Sequence, residues 1–157
     1  MIRTGLGFDA HAFDAARPLV LGGVTIPATP GLAGHSDADA LSHAIADALL
    51  GAAGLGDLGE RFPASDEWKG ANSLDILWEC ASVTRAAGWD VVNVDATIVA
   101  ERPRLAPYRG GMIENLAAAL DMAVDRVSVK ATTTDGMGFT GRGEGIGVLA
   151  IVTISAD

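Results

Sequence analysis

The chain has 157 residues, 49% of them hydrophobic and 20% charged, a balance that builds a folded domain with its own core and excludes intrinsic disorder. Twenty acidic against 11 basic residues give a net charge of −9, a field that repels polyanions and argues against nucleic acid or an anionic membrane as a partner. With no apolar run of membrane length and no leader-like segment behind Arg3, the protein is expected in the cytoplasm.

Taken in chain order, Thr4 to Asp9 predicts a strand, and Leu19 to Leu21 with Val24 to Ile26 predicts a hairpin across Gly22-Gly23. Ser36 followed by Asp39 resembles a capping box opening a helix that Gly51 to Gly56 ends. In that helix Leu41, Ile45, Ala48 and Leu49 recur at helical spacing and leave His43 on the more polar side. A second helix is expected over Ser73 to Ala87, with Leu74, Leu77, Trp78 and Ala81 on one face and Gly88 as its stop. Val91 to Ala100 reads as a strand with Val92, Val94, Ala96 and Ile98 on one side, followed by a helix from Pro107 to Leu120. The β-branched runs Val127 to Thr134 and Ile146 to Ile154 complete the set. Between them Asp135 to Gly145 holds five glycines in eleven residues and reads as a loop. The order predicts one α+β domain over 1–157, with helices on one face of a mainly four-stranded sheet. Trp68, Trp78 and Trp89 are expected in the core or at an interface. Cys80 falls at an interior helical position and reads as an inert buried thiol, with no disulfide to form.

The chemistry concentrates near the start. All three histidines, His11, His35 and His43, lie among carboxylates there. Asp9 and His11 point to one side of an extended chain, and His43 on the first helix can close a chelate with them. One carboxylate and two imidazoles make a zinc-type set, and three protein ligands leave the open position typical of catalytic zinc. Asp39 and Asp47, four residues either side of His43, are each placed to accept its second ring N–H. Between Gly31 and Asp66 the only basic side chain is Arg61, against six acids, which suits divalent cations.

The blocks GFDAHAF, GHSDADALSHAIADALLGAAGLGDLGERFP, NVDATI, ERPRLAPY and VKATTTDGMGFTGRGEGI run from the first strand to the last. Together they resemble the 2-C-methyl-D-erythritol 2,4-cyclodiphosphate synthases of the non-mevalonate isoprenoid pathway. The resemblance implies a homotrimer whose sheets face the three-fold axis and whose active sites lie between subunits. It also implies cyclisation of a cytidine-diphosphate-linked methylerythritol 2-phosphate with release of CMP. By it Asp9, His11 and His43 hold zinc, with Asp9 and His11 also at the substrate. His35 and Ser36 meet the attacking phosphate, where Ser36 can cap a helix as well. Thr133 stabilises the transition state, and Thr132 and Thr134 contact nucleotide and phosphates.

A second ion, magnesium or manganese, falls to Asp135, where the family usually has glutamate, one methylene longer. Ala100, Arg104, Leu105 and Ala106 correspond to the cytidine pocket, with arginine where lysine is common. Asp57, Gly59 and the run Phe62, Pro63, Ala64, Ser65 and Asp66 correspond to the methylerythritol site, a stretch expected to be mobile before substrate arrives. Phe8, Phe139, Arg142 and Glu144 correspond to the lining of an axial cavity that takes isoprenoid diphosphates. Arg142 and Glu144 can equally pair to hold the trimer.

Overall fold

The computed structural model describes residues 1–27 and 30–156; residues 28, 29 and 157 lie outside that description. Its strands are β1 (Ile2–Asp14), β2 (Leu19–Leu21), β3 (Val24–Ile26), β4 (Gly31–Leu32), β5 (Asp90–Val99), β6 (Val127–Thr132) and β7 (Gly145–Ser155). Its helices are α1 (Ala40–Ala53), α2 (Leu58–Arg61), α3 (Ser73–Ala86), α4 (Arg109–Leu120) and α5 (Gly138–Gly141).

The main sheet has five strands in the order β4-β1-β7-β5-β6 rather than the expected four, and β2 and β3 form a separate hairpin. The extra strand is β4, two residues paired with Phe13 and Asp14, too short to carry an alternation that a sequence reading detects. β7 runs antiparallel to both of its neighbours, β1 and β5. β6 lies parallel to β5, which requires a crossover, and α4 supplies it. Along β7, Val148, Ala150, Val152 and Ile154 are buried while Leu149 and Ile151 stay exposed. α1, α3 and α4 stack on the buried side. The opposite face is left open, with Leu6 and Phe8 of β1 exposed beside Leu149 and Ile151.

What places the site is the contact of β1 with α1. A Cβ on Gly5 would fall 1.9 Å from the Ala48 carbonyl oxygen, and one on Gly7 would fall 2.0 Å from that of Ala44. Strand and helix backbones therefore touch, which only glycine allows. Two strand residues advance about 6.8 Å and one helical turn about 5.4 Å, so the two elements step together. Gly5 faces Ala48 and Ala52, Gly7 faces Ala44 and Ala48, and the next two positions on that face, Asp9 and His11, arrive at the first turn of α1, where His43 stands.

Several expectations are corrected by tertiary packing. α1 begins at Ala40 with Asp39 as its N-cap, accepting from Ser42 N–H, so the capping box at Ser36 does not form. Asp39 is fully buried and also accepts the N–H groups of Gly22 and Gly23 at 2.9 and 2.8 Å, fastening the β2–β3 turn to the helix. Burial pushes its carboxyl pKa upward against those donors. α3 buries Ile76, Leu77, Cys80, Ala81 and Thr84, and Trp78, expected among them, is 53% exposed. In β5 a register shift between Val91 and Asn93 replaces Val92 by Val91 in the buried row with Val94, Ala96 and Ile98, since one extra residue reverses the alternation. The glycine-rich loop contains α5, and the helix expected from Pro107 begins as a 3-10 turn at Ala106–Tyr108 before α4. Trp68 and Trp89 pack partly buried against the core. Cys80 is buried, and burial pushes its thiol up to about 12, consistent with an inert side chain. No helix among the described residues is long and apolar enough to cross a membrane.

Gly7→Ala is expected to destabilise the protein by about 1–3 kcal/mol or more, the cost of forcing atoms into a filled contact, in urea denaturation. Gly51→Ala, whose Cβ meets nothing within 4 Å inside α1, is expected to stabilise by about 0.5–1 kcal/mol. Equal effects at the two positions would contradict the close contact of β1 and α1.

Candidate active site

Asp9, His11 and His43 converge, each with one ligand atom within 4.8 Å of the others. Asp9 Oδ2 lies 2.8 Å from His11 Nε2 and 3.2 Å from His43 Nδ1. The remaining ring nitrogens determine what those atoms present. His11 Nδ1 is 2.6 Å from the Ala33 carbonyl oxygen, which can only accept, so Nδ1 carries a proton and Nε2 is left to donate to Asp9 when the ring is protonated and to offer a lone pair when it is not. His43 Nε2 is 2.8 Å from Ser73 Oγ and 3.2 Å from Ser36 Oγ. The expected partners Asp39 and Asp47 do not take this role. Asp39 is committed to the cap and the hairpin, and Asp47 accepts Leu58 N–H at 3.1 Å.

Two imidazole nitrogens thus aim at one carboxylate oxygen, an arrangement that protons or a metal ion between them can satisfy. Burial raises the Asp9 carboxyl, but hydrogen bonds from His11 and His43 outweigh it and hold it at about 2. The same bond to Asp9 raises the His11 imidazole against its burial. A carboxylate ionised throughout the physiological range and two oriented imidazoles form a donor set that fits zinc.

Beside the three ligands is a cavity of about 200 Å³ lined by His11, His35, Ser36, His43, Leu58, Gly59, Phe62, Pro63, Ala64, Trp68 and Ile76. The structure brings the expected His35, Ser36, Gly59 and Phe62 to Ala64 together here. His35 is exposed and Ser36 buried, and the loop carrying them is tied to the far wall by Gly70 N–H on the His35 carbonyl at 2.9 Å. Arg17 donates to the carbonyls of Gly34 and Ser36 from the other side. Asp57, Ser65 and Asp66 are not on this wall. Asp57 caps α2 through Glu60 N–H at 2.8 Å, and Ser65 and Asp66 sit in the short turn ending at Trp68. Trp68 stacks edge-on against Phe62, centroids 4.8 Å apart.

A second cavity, about 340 Å³, gathers Ala100, Arg104, Leu105, Ala106, Thr132 and Thr133 with Glu101, Pro103, Arg109 and Ala131. Glu101 was not among the residues singled out from sequence, yet its Oε1 accepts Thr134 N–H at 3.1 Å and Gly136 N–H at 3.2 Å and so holds the threonine turn. A carboxylate aimed at backbone N–H groups of a distant loop leaves no sequence signal. Arg109 also adds a cation that was not foreseen. Thr134 spends its hydroxyl on Met137 and Thr140 and does not line this cavity. Asp135 is exposed beside Thr133 with φ of 52° and joins no cluster of three metal-ligating side chains among the described residues. Within one chain the two cavities share no lining residue. Phe8 and Phe139 lie over Gly147 on the open sheet face, and Arg142 pairs with Glu144 at 2.7 Å.

The model of the YgbB family matches residues 2–155. The chain belongs to the YgbB family. It is 55% identical to the 2-C-methyl-D-erythritol 2,4-cyclodiphosphate synthase of Alkalilimnicola ehrlichii over the whole chain and 97% of that protein. The synthase of Syntrophomonas wolfei is also 55% identical, over 98% of each chain. Among solved structures, the bifunctional IspDF of Campylobacter jejuni superposes with a TM-score of 0.96 at 45% identity, covering all of this chain and 43% of that one. A 2C-methyl-D-erythritol-2,4-cyclodiphosphate synthase in its CDP-bound form gives 0.89 at 33% identity, over 98% of this chain and 100% of that one.

Protons and metal compete for the same lone pairs. Because Asp9 raises His11, acidification refills Nε2 early, so zinc affinity is expected to fall steadily as pH drops from 8 to 6 in titrations against a chromophoric chelator. A pH-independent affinity would rule out imidazole ligation.

Proposed function

We infer that this chain converts 4-diphosphocytidyl-2-C-methyl-D-erythritol 2-phosphate to 2-C-methyl-D-erythritol 2,4-cyclodiphosphate and CMP, as a single domain serving non-mevalonate isoprenoid synthesis. The observation that carries the reading is the convergence of Asp9, His11 and His43 on one point beside an open cavity, in a chain more than half identical to synthases of that cyclic diphosphate.

An oxygen of the 2-phosphate forms a bond to the β-phosphorus as that phosphorus releases its oxygen bridge to the α-phosphate, and the electron pair leaves with CMP. No water is consumed and no protein nucleophile is needed, so positioning and charge stabilisation are the whole task. Zinc held by Asp9, His11 and His43 supplies Lewis-acid stabilisation of phosphoryl charge. His35 and Ser36 meet the attacking phosphate from the loop pinned by Arg17. Gly59, Phe62, Pro63 and Ala64 wall off the methylerythritol unit, with Asp57, Ser65 and Asp66 of the same stretch completing its site. Ala100, Leu105 and Ala106 offer backbone groups to the cytosine edge. Arg104 sets a positive charge near the phosphates, and Thr132 and Thr133 place hydroxyls where negative charge builds in the transition state. Asp135 offers one carboxylate to a magnesium or manganese ion, whose remaining oxygen ligands would come from the phosphates.

The separation of the two cavities within one chain supports a homotrimer in which one subunit's metal cavity adjoins the next one's nucleotide pocket. The open sheet face supports the same assembly, because Leu6, Phe8, Leu149 and Ile151 need a cover. Phe8, Phe139 and Arg142 would then line its axis, where an isoprenoid diphosphate fits the rings and cations.

Phosphorus NMR of the protein with the substrate, zinc and magnesium is expected to show CMP with a cyclic diphosphate. A linear bisphosphate would mean hydrolysis and overturn the reading. His43→Ala is expected to lose zinc and turnover together, with zinc affinity down by more than the 10–100-fold typical of supporting residues. His35→Ala is expected to keep zinc and lose turnover, and full turnover there would remove His35 from the phosphate site.

A further inference from the structure

His43 faces the ligand cluster through Nδ1, so whatever holds its other nitrogen decides whether a lone pair is presented there. Nε2 lies 2.8 Å from Ser73 Oγ. The Ser73 hydroxyl has one hydrogen, and it is donated to Asp37 Oδ1. The Ser73 backbone N–H donates to the other oxygen, Oδ2, at 3.0 Å. A hydroxyl whose hydrogen is committed can only accept from the imidazole, so Nε2 carries a proton in this bond, and Nδ1, 3.2 Å from Asp9 Oδ2, is the nitrogen left free to lose its proton to an ion. Ser36 Oγ accepts Ala38 N–H and can either accept from or donate to the ring, but at 3.2 Å it is the longer contact, so Ser73 sets the tautomer.

Asp37 and Ser73 come from different elements. Asp37 lies in the loop before α1, and Ser73 is the fully buried first residue of α3. Helix capping does not account for Ser73, because Asn72 caps α3 through Leu74 N–H at 2.9 Å. The two segments are also joined by Asp37 N–H on the Ala71 carbonyl at 3.1 Å, which fixes the spacing of the hydrogen-bonded chain. We propose that Asp37 and Ser73 are positioning residues for the metal centre: the chain Asp37–Ser73–His43 fixes one imidazole tautomer and presents Nδ1 to the ion. The inference rests on the metal reading above and names two residues that touch neither metal nor substrate.

The chain has only three histidines, so long-range proton–nitrogen correlation spectra of the metal-free protein near pH 8 can report the His43 tautomer directly. The native protein is expected to show a proton held on Nε2, whether Nδ1 is bare or shares a proton with Asp9. Ser73→Ala should give a tautomer mixture and a zinc affinity lowered about 10–100-fold, with metal-free thermal stability nearly kept because the backbone bond to Asp37 and the Asn72 cap remain. Ser73→Thr, which restores the hydroxyl, should restore both readouts. Asp37→Asn decides the matter should Ser73→Ala not fold. Both carboxylate oxygens of Asp37 accept backbone N–H groups, Oδ2 from Ser73 and Oδ1 from Asp39 at 3.2 Å, so an amide sets its NH2 against one of these donors, the hold on the Ser73 hydroxyl weakens, and a tautomer mixture with lowered zinc affinity is expected. Native tautomer and native zinc affinity in either variant would overturn the relay. Failure of the metal reading looks different: the native protein would take up no zinc, while the tautomer would still respond to Ser73→Ala.

Discussion

The backbone contact between β1 and α1 is the constraint on which the rest of the molecule depends. Gly5 and Gly7 remove the side chains that would hold the two elements apart, and Ala44 and Ala48 leave carbonyl oxygens at the contact. Once strand and helix run this close, the side chains one step further along, Asp9 and His11, cannot avoid the first turn of the helix. His43 is placed by the same step. The Asp9, His11 and His43 cluster is therefore a product of packing in the apolar part of the fold, and its polar supports are fitted around it: Ala33 behind His11, Ser73 and Ser36 behind His43. Preorganisation of this kind keeps the ligands from reorienting when charge changes at the site.

The sheet that places the Asp9, His11 and His43 cluster also places the second cavity. β5 and β6 run parallel, and residues at their exits, from the Ala100 to Ala106 segment on one side and Thr132 with Thr133 on the other, meet in the second cavity. Glu101 ties those two exits together through Thr134 and Gly136. Two separate cavities and an uncovered apolar sheet face are the features the proposed assembly would join and cover. In the proposed trimer one interface covers Leu6, Phe8, Leu149 and Ile151 and joins a metal cavity to a nucleotide pocket.

Much of this was legible in the sequence, because the signals were local. The hairpin at Gly22-Gly23 occupies the expected residues, and the same-side placement of Asp9 and His11 follows from strand geometry alone. The long strands and helices were found with boundaries a few residues off. What escaped depended on contacts between distant segments. β4 exists only because β1 offers it an edge, and the exposure of Trp78 is set by which face of α3 meets α1 and α4. Val92 left the buried row through a bulge that no pattern announces. The partners of His43 were sought four residues away on its own helix and lie 7 and 30 residues along the chain, because a buried imidazole is served by whatever loop packs over it.

The central claim is that the metal cavity and the nucleotide pocket are two halves of one active site contributed by different copies of the chain. Co-expression of His43→Ala with Thr133→Ala, each severely impaired alone, tests it most directly. Mixed oligomers purified by two affinity tags should regain cyclodiphosphate formation, because some sites combine an intact His43 from one copy with an intact Thr133 from its neighbour. Mixed oligomers no more active than the two variants apart would place both halves in a single chain and contradict the account.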